Sequence, residues 1–361
     1  MPGGEPIPTE VSLNLSPTKR FDVIDSSARV EAEFGDLLRR YQRALYCSLH
    51  TTAGYLGHGL SARLAAGTEH DGLQRFFRAF GVLFPPGAPY GHDQIHLRDD
   101  LTDEQREVEP RNADSHLTFI ASGMSNCVTH HNERHVPAYF VDLDGTFEGT
   151  RRQRTTAVLA YDGERVVQRV TVPVPVSRHP IDSINLGDPR LGFIEQVDAL
   201  LKRSGIEQGR IDLVLAPSEG NAGLTVNEYE TFLMQHDLIE VLRNPLKFAA
   251  QKGRHMLDDP LAIPGKTVNY ATYDFVHVFN SLMEAFRVDQ SVVERLLAKV
   301  IALPARRFLR VKRGISFLAS DPDRQGSARL VRGTYQSPIL LQWGVAPRQS
   351  RQVEVSLVRF D

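Results

Sequence analysis

The feature that most constrains the fold of this chain is an internal repeat of one order of elements. An amphipathic segment, FDVIDSSARVEAEFGDLLRRYQ at 21–42, leads into the apolar run ALYCSLH and then into an Ala-Gly pair at 53–54. A second amphipathic segment, LGFIEQVDALLKRSG at 191–205, leads into RIDLVLAP and an Ala-Gly pair at 222–223. Two long copies of one order indicate a duplicated domain rather than a solenoid of short repeats.

Each amphipathic segment carries apolar residues at helical spacing and is predicted to form a helix. In the first segment, Ser26 or Ser27 is available to cap the N-terminus. The apolar run at 44–50 alternates as a strand does, which places His50 away from the apolar face, at the end of the strand. Cys47 falls on the apolar face, so we expect it in the core.

The two halves also end alike. Residues 139–161 and 339–360 each read as a strand, a turn and a second strand. We therefore predict an α+β protein of two tandem domains, 21–164 and 165–361, each with mixed or antiparallel sheets packed against helices. The second copy is longer, and its extra length includes a predicted helix at 288–303.

Composition narrows the class of protein. The 361 residues suit two domains, and 41% hydrophobic with 24% charged content is typical of a soluble globular protein. A net charge of −2 argues against a nucleic-acid partner. The two cysteines, Cys47 and Cys127, are too few for a disulfide framework and fit a reducing cytoplasm. Neither a membrane span nor a secretory leader is expected, and the Pro/Gly-rich opening indicates a flexible tail at 1–20.

Three ordered motifs stand in the first half: HTTAG at 50–54, PYGHD at 89–93 and NADSHL at 112–117. The second half carries NAGLTVNEY at 221–229, GTYQSPILLQ at 333–342 and, near its end, APRQSRQVEV. With these motifs the chain resembles the YjbQ-like family, the secondary thiamine-phosphate synthases, as a tandem of two diverged copies. The resemblance implies assembly as a homo-oligomer, with a trimer favoured.

The departures from the family pattern are complementary. The first copy keeps the histidines of the pattern, which are His50, His92 and His116. It lacks the Asn-Glu pair, which the second copy keeps as Asn227-Glu228. The second copy lacks the first histidine, and its nearest counterpart to the later ones is DFVH at 274–277. We therefore expect sites to form where a first copy meets a second copy, in one chain or between chains.

The resemblance implies a divalent-metal site at the three family histidines. Imidazole suits zinc above all, with nickel, iron or manganese as alternatives, and three protein ligands leave a position open for water or substrate. Asp114 and His116, two apart on a predicted strand, would face the same side. Glu228 is then the candidate general acid or base, and the other candidate catalytic residues are Asn227, Asp114 and Asp93. The alternative is that the histidines are structural, because their spacing is not that of a local ligand motif.

Arginines follow the turns of both halves. A guanidinium can hold a phosphate or carboxylate through forked hydrogen bonds, although charges on edge strands also serve to prevent edge pairing. The candidate substrate-binding residues are Thr51, Thr52, Asn112, Arg151, Arg152, Arg154, Gln336 and Arg348. Gln336 is open to the alternative that it packs within a strand.

The remaining histidines are weaker candidates for a functional site. His130, His131 and His135 are interpreted as ordinary surface or turn residues, whereas His58 occupies the position of the lost asparagine and could have taken its role. No phosphate-binding loop of the Walker or dinucleotide type occurs, and no nucleophile elbow.

The motifs together predict a cytoplasmic, metal-dependent enzyme with a small phosphorylated or anionic substrate and a site at a domain or subunit interface. The resemblance implies thiamine-phosphate-synthase-like activity, a transfer reaction. The alternative is a non-catalytic oligomer that binds a metal or ligand, with the second copy as a structural partner.

Overall fold

The computed structural model describes residues 7–65, 71–99, 101–132, 136–243, 248, 251, 311–321 and 328–361. The predicted helix at 288–303, the DFVH segment and His135 lie outside the described residues. The chain divides into two compact units. The first comprises Met1–Arg63, Gly123–Tyr229 and Val311–Asp361, and the second Leu64–Ser122 and Glu230–Arg310. The predicted boundary between residues 164 and 165 therefore falls inside the first unit.

All the described strands belong to the first unit. Those of the first half are β1 Thr9–Leu15, β2 Asp22–Asp25, β3 Arg43–Ser48, β4 Ala53–Tyr55, β5 Cys127–His131, β6 Tyr139–Asp142, β7 Thr146–Phe147, β8 Thr150–Arg151 and β9 Arg154–Tyr161. Those of the second half are β10 Glu164–Pro175, β11 Ile181–Asn185, β12 Gly209–Leu215, β13 Ala222–Asn227, β14 Gly314–Ser320, β15 Arg329–Val331, β16 Ser337–Trp343 and β17 Ser350–Phe360.

The strands form two large and two small sheets, all antiparallel. The large sheets have the orders β1-β9-β3-β5 and β10-β17-β12-β14-β15, and the small ones β2-β6-β4 and β11-β16-β13. A two-stranded hairpin joins β7 to β8. In each large sheet the first strand of its half pairs with the last, and the third strand of the half lies next. The predicted α+β class is confirmed.

The described helices occur in both units, and the described part of the second unit contains helices and turns but no strand. They are α1 Ser26–Phe34, α2 His58–Ala65, α3 Asp71–Leu83, α4 Asp103–Val108, α5 Ala113–Ser122, α6 Phe193–Ser204 and α7 Leu238–Arg243. Short 3₁₀ turns occur at Leu37–Arg40, Ile95–Leu97, Pro189–Leu191 and Pro347–Gln349, and a π-helix at Leu233–Asp237. None of the helices in the described ranges is long and apolar enough to cross a lipid bilayer.

The two amphipathic segments form helices as predicted, with one correction at a cap. The side chain of Asp25 accepts a hydrogen bond from the backbone amide of Ala28 and so caps α1. The predicted caps Ser26 and Ser27 are wrong, because the helix begins one residue earlier than expected and already includes them. Asp25 is itself among the residue types preferred at this position.

Three hydrophobic cores hold the first unit together. One lies between the first large sheet and α1, and a second between the other large sheet and α6. The third lies between the two large sheets, where the rings of Tyr161 and Phe360 stack with centroids 3.7 Å apart. Tyr46 points into the first core, and Leu45 and Cys47 into the third. Both faces of β3 are therefore buried, and the core position predicted for Cys47 is confirmed.

Two findings at this sheet bear on the expectations for the cysteines and for the N-terminal segment. Cys47 and Cys127 are register partners on β3 and β5 and form a disulfide, so the cysteines no longer support the prediction of a reducing compartment. The predicted tail at 1–20 is wrong from Thr9 onward, because β1 pairs with β9 along its whole length. Leu13 and Leu15 on this strand are buried, and their burial stabilises it.

Candidate functional site

The motif residues fall into two groups, one in each unit. The first is the His50 loop, residues 48–52, together with the side chains that hold it. The second is the His92 cluster, which comprises His92, Asp93, Asn112, Asp114 and His116.

The His50 loop begins where β3 ends. The Ser48 hydroxyl donates to the carbonyl oxygen of Ala53 over 2.6 Å and accepts the His50 amide at 3.3 Å, which turns the chain. The backbone amide of Thr155 donates to Nε2 of His50 over 2.8 Å. Because Nε2 accepts, the proton of the neutral imidazole lies on Nδ1.

The surroundings of His50 keep its imidazole neutral. Burial, followed by the positive charges of Arg154 and Arg152, lowers the pKa of His50 to about 4. At neutral pH His50 is therefore uncharged in a positive local potential, a setting that favours an anionic neighbour.

Two motif residues of the second half hold this loop from outside. The side-chain amide of Asn227 donates to the carbonyl oxygen of Thr51 over 3.0 Å. The amide of Gln336, which is only 1% exposed, donates to the carbonyl oxygens of Ser48 at 3.0 Å and His50 at 2.8 Å. Both amides thus bind backbone rather than solvent.

Asn227 also accepts a hydrogen bond from the backbone amide of the next residue, Glu228, over 2.9 Å. Glu228 itself is partly buried just after β13. Its assignment as a general acid or base stays a prediction.

Arg154 is engaged in a buried pair. Its guanidinium contacts the Asp142 carboxylate at 2.7 and 3.0 Å, the carbonyl oxygen of Asp144 at 2.9 Å and the hydroxyl of Thr52 at 3.3 Å. Arg351 at the start of β17 has the corresponding position in the second half and contacts Glu219 at 3.0 Å. Both arginines therefore hold turns in place.

The other candidate arginines are more accessible. Arg152 pairs with Asp144 at 2.8 Å, lies 5.9 Å from the ring centroid of Phe147 and keeps 28% of its side chain exposed. Arg151 on β8 and Arg348 in a 3₁₀ turn are both exposed. Among the candidates near His50, Arg152 combines proximity to the imidazole with access to solvent.

The His92 cluster is built on a turn held by a carboxylate from the second half of the chain. Asp237, the last residue of the π-helix, accepts the backbone amides of Gly91 and His92, each over 3.0 Å. Nδ1 of His92 donates to Oδ1 of Asp93 over 2.9 Å. The same oxygen accepts the amide of Ala113 at 3.1 Å, so Asp93 joins the turn to the start of α5.

This geometry sets the charge state of His92. Burial works to lower the pKa of His92, but the hydrogen bond to Asp93 and the charge of that carboxylate outweigh it, so the pKa is raised above its ordinary value. The ring of His116 lies 5.3 Å from that of His92, centroid to centroid. Two buried imidazoles and a carboxylate thus lie side by side.

The predicted strand around Asp114 and His116 is wrong, because these residues lie on α5. Residues two apart on an α-helix are separated by roughly 200° around its axis, so the two side chains do not share a face. Both are nevertheless buried, since every residue of α5 is buried. Asn112 supplies the carbonyl that accepts the amides of Ser115 and His116 at the start of this helix.

Sequence reasoning missed four charged residues of the second unit, which are Arg98, Glu109, Glu230 and Asp237. Arg98 is 1% exposed and pairs with Glu109 at 2.6 Å and with Glu230 at 3.7 Å. Glu230 also accepts the amides of Phe232 and Leu233, which start the π-helix that ends at Asp237. The pairing of Arg98 with Glu230, like that of Asp237 with the His92 turn, joins residues that are distant in sequence, so no local motif indicates it. The π-helix, a feature frequent at functional sites, is visible only in the structure.

One of the remaining histidines differs from expectation. His130 is 1% exposed, so its interpretation as a surface residue is wrong. His58, which could have replaced the lost asparagine, has its ring beside those of His130 and His131.

Within the described ranges, no group of three or more His, Cys, Asp and Glu side chains is arranged to hold a metal ion. A zinc site at His50, His92 and His116 stays a prediction.

No protein-family model matches the chain, and no curated protein matches it. Solved structures do. A YbjQ-like protein of unknown function from Sulfolobus solfataricus is 16% identical, covering 55% of this chain and 99% of its own, with a TM-score of 0.28. A hypothetical protein from Aeropyrum pernix is 16% identical over 53% and 97%, with a TM-score of 0.26. An uncharacterized protein of the YjbQ family from Clostridium acetobutylicum is 13% identical over 52% and 98%, with a TM-score of 0.23. None of these descriptions states an activity.

Proposed function

We propose that this chain is an enzyme, a tandem of two diverged YjbQ-like copies, that acts on a small phosphorylated or otherwise anionic metabolite. The shared strand order of the two large sheets supports the tandem origin. The motif resemblance implies a thiamine-phosphate-synthase-like reaction, which joins a pyrimidine pyrophosphate to a thiazole phosphate.

The observation that carries the proposal is the pairing of His92 with Asp93. With Nδ1–H directed at the carboxylate, Nε2 is the nitrogen left to take a proton from a reacting group or return it. The imidazolium that forms is stabilised by Asp93, which is itself fixed by the amide of Ala113. The backbone of His92 is held by Asp237, so the base is presented by a rigid turn.

Recognition of an anion is supported by the charges around the His50 loop. Arg152 is accessible and close enough to His50 for its charge to lower the pKa of the imidazole. A guanidinium of this kind binds phosphate or carboxylate through two parallel hydrogen bonds. His50 can add a donor from Nδ1, because Nε2 is occupied by Thr155.

The test is a turnover assay on the full chain with pyrimidine pyrophosphate plus thiazole phosphate, followed by a panel of phosphate esters, pyrophosphates and dicarboxylates. We expect His92→Asn to lower turnover by about 10²–10⁴-fold, the usual contribution of general acid–base catalysis. His96→Asn is the matched control, since His96 is an exposed histidine of the same unit. If turnover survives in His92→Asn, the assignment of His92 as the general acid or base is wrong. Mass photometry of the same samples separately tests the predicted trimer.

A second candidate function is that of a non-catalytic ligand-binding protein. It is favoured by the contacts that the side chains of Asn227 and Gln336 make. Their side chains hold backbone carbonyls, as expected of a structural partner. Calorimetry with the same anionic panel separates the two functions, because binding without turnover supports this candidate. Arg152→Ala should weaken that binding, whereas the exposed Arg190 provides a control in Arg190→Ala.

A further inference from the structure

Three histidines outside both groups lie against one another in the first unit. His58 is the first residue of α2, and His130 and His131 are the last two residues of β5. The ring centroid of His58 lies 5.2 Å from that of His130 and 5.4 Å from that of His131. The Nδ1 atoms of His58 and His130 are 3.4 Å apart. We call these three residues the His58 trio.

The hydrogen bonding of His130 directs a lone pair at His58. Nε2 of His130 lies 3.2 Å from the carbonyl oxygen of Leu56. A carbonyl oxygen only accepts, so Nε2 carries the proton and Nδ1 presents its lone pair. Metal-binding histidines typically donate their second ring nitrogen to a carbonyl or carboxylate in this way, which fixes the ligating nitrogen and the ring.

The distance between the two Nδ1 atoms is that of two ligands on one metal ion. Zinc–nitrogen bonds are about 2.0–2.1 Å long, so two nitrogens on a tetrahedral zinc lie roughly 3.3–3.4 Å apart. The observed separation is 3.4 Å. Without an ion, Nδ1–H of His58 donates a hydrogen bond to Nδ1 of His130 over the same distance, so a bound metal would replace that proton.

We propose that the His58 trio binds a divalent transition-metal ion, with Nδ1 of His58 and His130 as two ligands and His131 as the third. In the described part of the chain no three such side chains converge as they stand, so the ring of His131 must turn to complete the site. His131 is exposed at the end of β5, where a rotamer change costs little. Three imidazoles select zinc, copper or nickel over magnesium or calcium.

The ion has a route from solvent. His130 and His131 line a cleft of about 390 Å³ in the first unit. The wall of this cleft includes the carboxylates of Asp25 and Glu31, of which Glu31 pairs with Arg39 at 3.2 Å. The cleft gives a metal ion, and the water that would occupy its open position, access to His130 and His131.

The test is calorimetric titration of the full chain, prepared without a histidine tag and stripped by chelation, with Zn²⁺ and separately with Co²⁺. The visible absorption of Co²⁺ reports tetrahedral coordination. We expect His58→Ala and His58→Gln to weaken binding by at least about 100-fold, because each removes one ligand of a three-ligand site. His131→Ala should weaken it to a similar degree, because His131 is the third ligand, and His179→Ala, at an exposed histidine of the same unit, should leave it unchanged.

A variant with His50, His92 and His116 all replaced by alanine separates this site from the motif histidines. The site assigned to the trio should persist in that variant. The proposal is overturned if the wild type binds neither ion, if the His58 variants bind as the wild type does while retaining its circular dichroism spectrum, or if binding disappears only in the triple variant. Because the readout is metal binding rather than turnover, these outcomes leave the proposed function untouched.

Discussion

The side-chain amide of Asn227 donates a hydrogen bond to the backbone carbonyl of Thr51 over 3.0 Å, which joins the end of β13 to the His50 loop. Gln336 adds two more bonds to carbonyls of the same loop. Asn227 and Gln336, candidates for catalysis and substrate binding in the sequence, thus contact the backbone on which His50 stands.

Replacement of Gln336 by alanine should destabilise the first unit. The carbonyls of Ser48 and His50 and the amide of Gly333 would each lose a buried partner. Leaving buried polar groups unsatisfied costs about 1–3 kcal/mol in the free energy of unfolding. Urea denaturation measures this loss, and Gln196→Ala, at an exposed position of α6, should change stability little. An equal effect of the two substitutions would contradict the role of Gln336.

Gly333 allows the second half to approach the same loop. A Cβ at this position would overlap the carbonyl oxygen of Leu49 and lie 2.8 Å from its carbonyl carbon. Both contacts are with backbone, which cannot rotate away, so Gly333→Ala should cost about 2 kcal/mol or more of stability. Gly220→Ala is the matched control, because a Cβ there meets nothing within 4 Å. If the thermal melting curves of the two variants coincide, the close packing of Gly333 against Leu49 is ruled out.

The stability of the protein should depend on pH through His50. The ordinary pKa of histidine is 6.5, and in the folded state burial and the charges of Arg154 and Arg152 lower the pKa of His50 to about 4. Between these values the unfolded chain binds a proton that the folded chain does not, so acid favours unfolding. The stabilisation is complete above pH 6.5 and is lost as the pH falls toward 4.

We expect His50 to contribute roughly 2 kcal/mol to this loss, after allowing for its partial exposure to water. His50→Gln keeps an acceptor for the Thr155 amide but does not titrate. Chemical denaturation at pH 7.5 and pH 4.5 should therefore show a smaller drop for the variant than for the wild type. If the two proteins lose the same free energy, His50 is not held neutral by its surroundings.

The sequence predicts the order of elements well and their packing less well. Alternation along β3 correctly assigns Cys47 to an apolar face, because strand side chains alternate whatever covers them. It does not indicate that a second sheet covers that face. The stacking of Tyr161 on Phe360 joins strands from opposite halves, and such contacts leave no local pattern.

The candidate site likewise combines residues that the sequence predicts with contacts that it does not. The motifs single out His92 and Asp93, which the structure joins in a hydrogen bond. They mislead at Asp114 and His116, because a short apolar run fits a buried helix as well as a strand. Asp237 could not be found at all, since its partners Gly91 and His92 lie in the other half of the sequence.

Asp237 provides the sharpest test of how the His92 turn is held. In Asp237→Asn one of the two oxygens becomes an amide nitrogen that faces a backbone N–H, so one buried hydrogen bond to a charged acceptor is lost. Bonds of this kind contribute about 1.5–3 kcal/mol. Hydrogen exchange measured by NMR should show faster exchange at the amides of Gly91 and His92, with a matching loss of stability. Asp103→Asn, whose side chain is 95% exposed, should leave both unchanged. Unaltered protection of the two amides in Asp237→Asn would mean that the turn is rigid without this carboxylate.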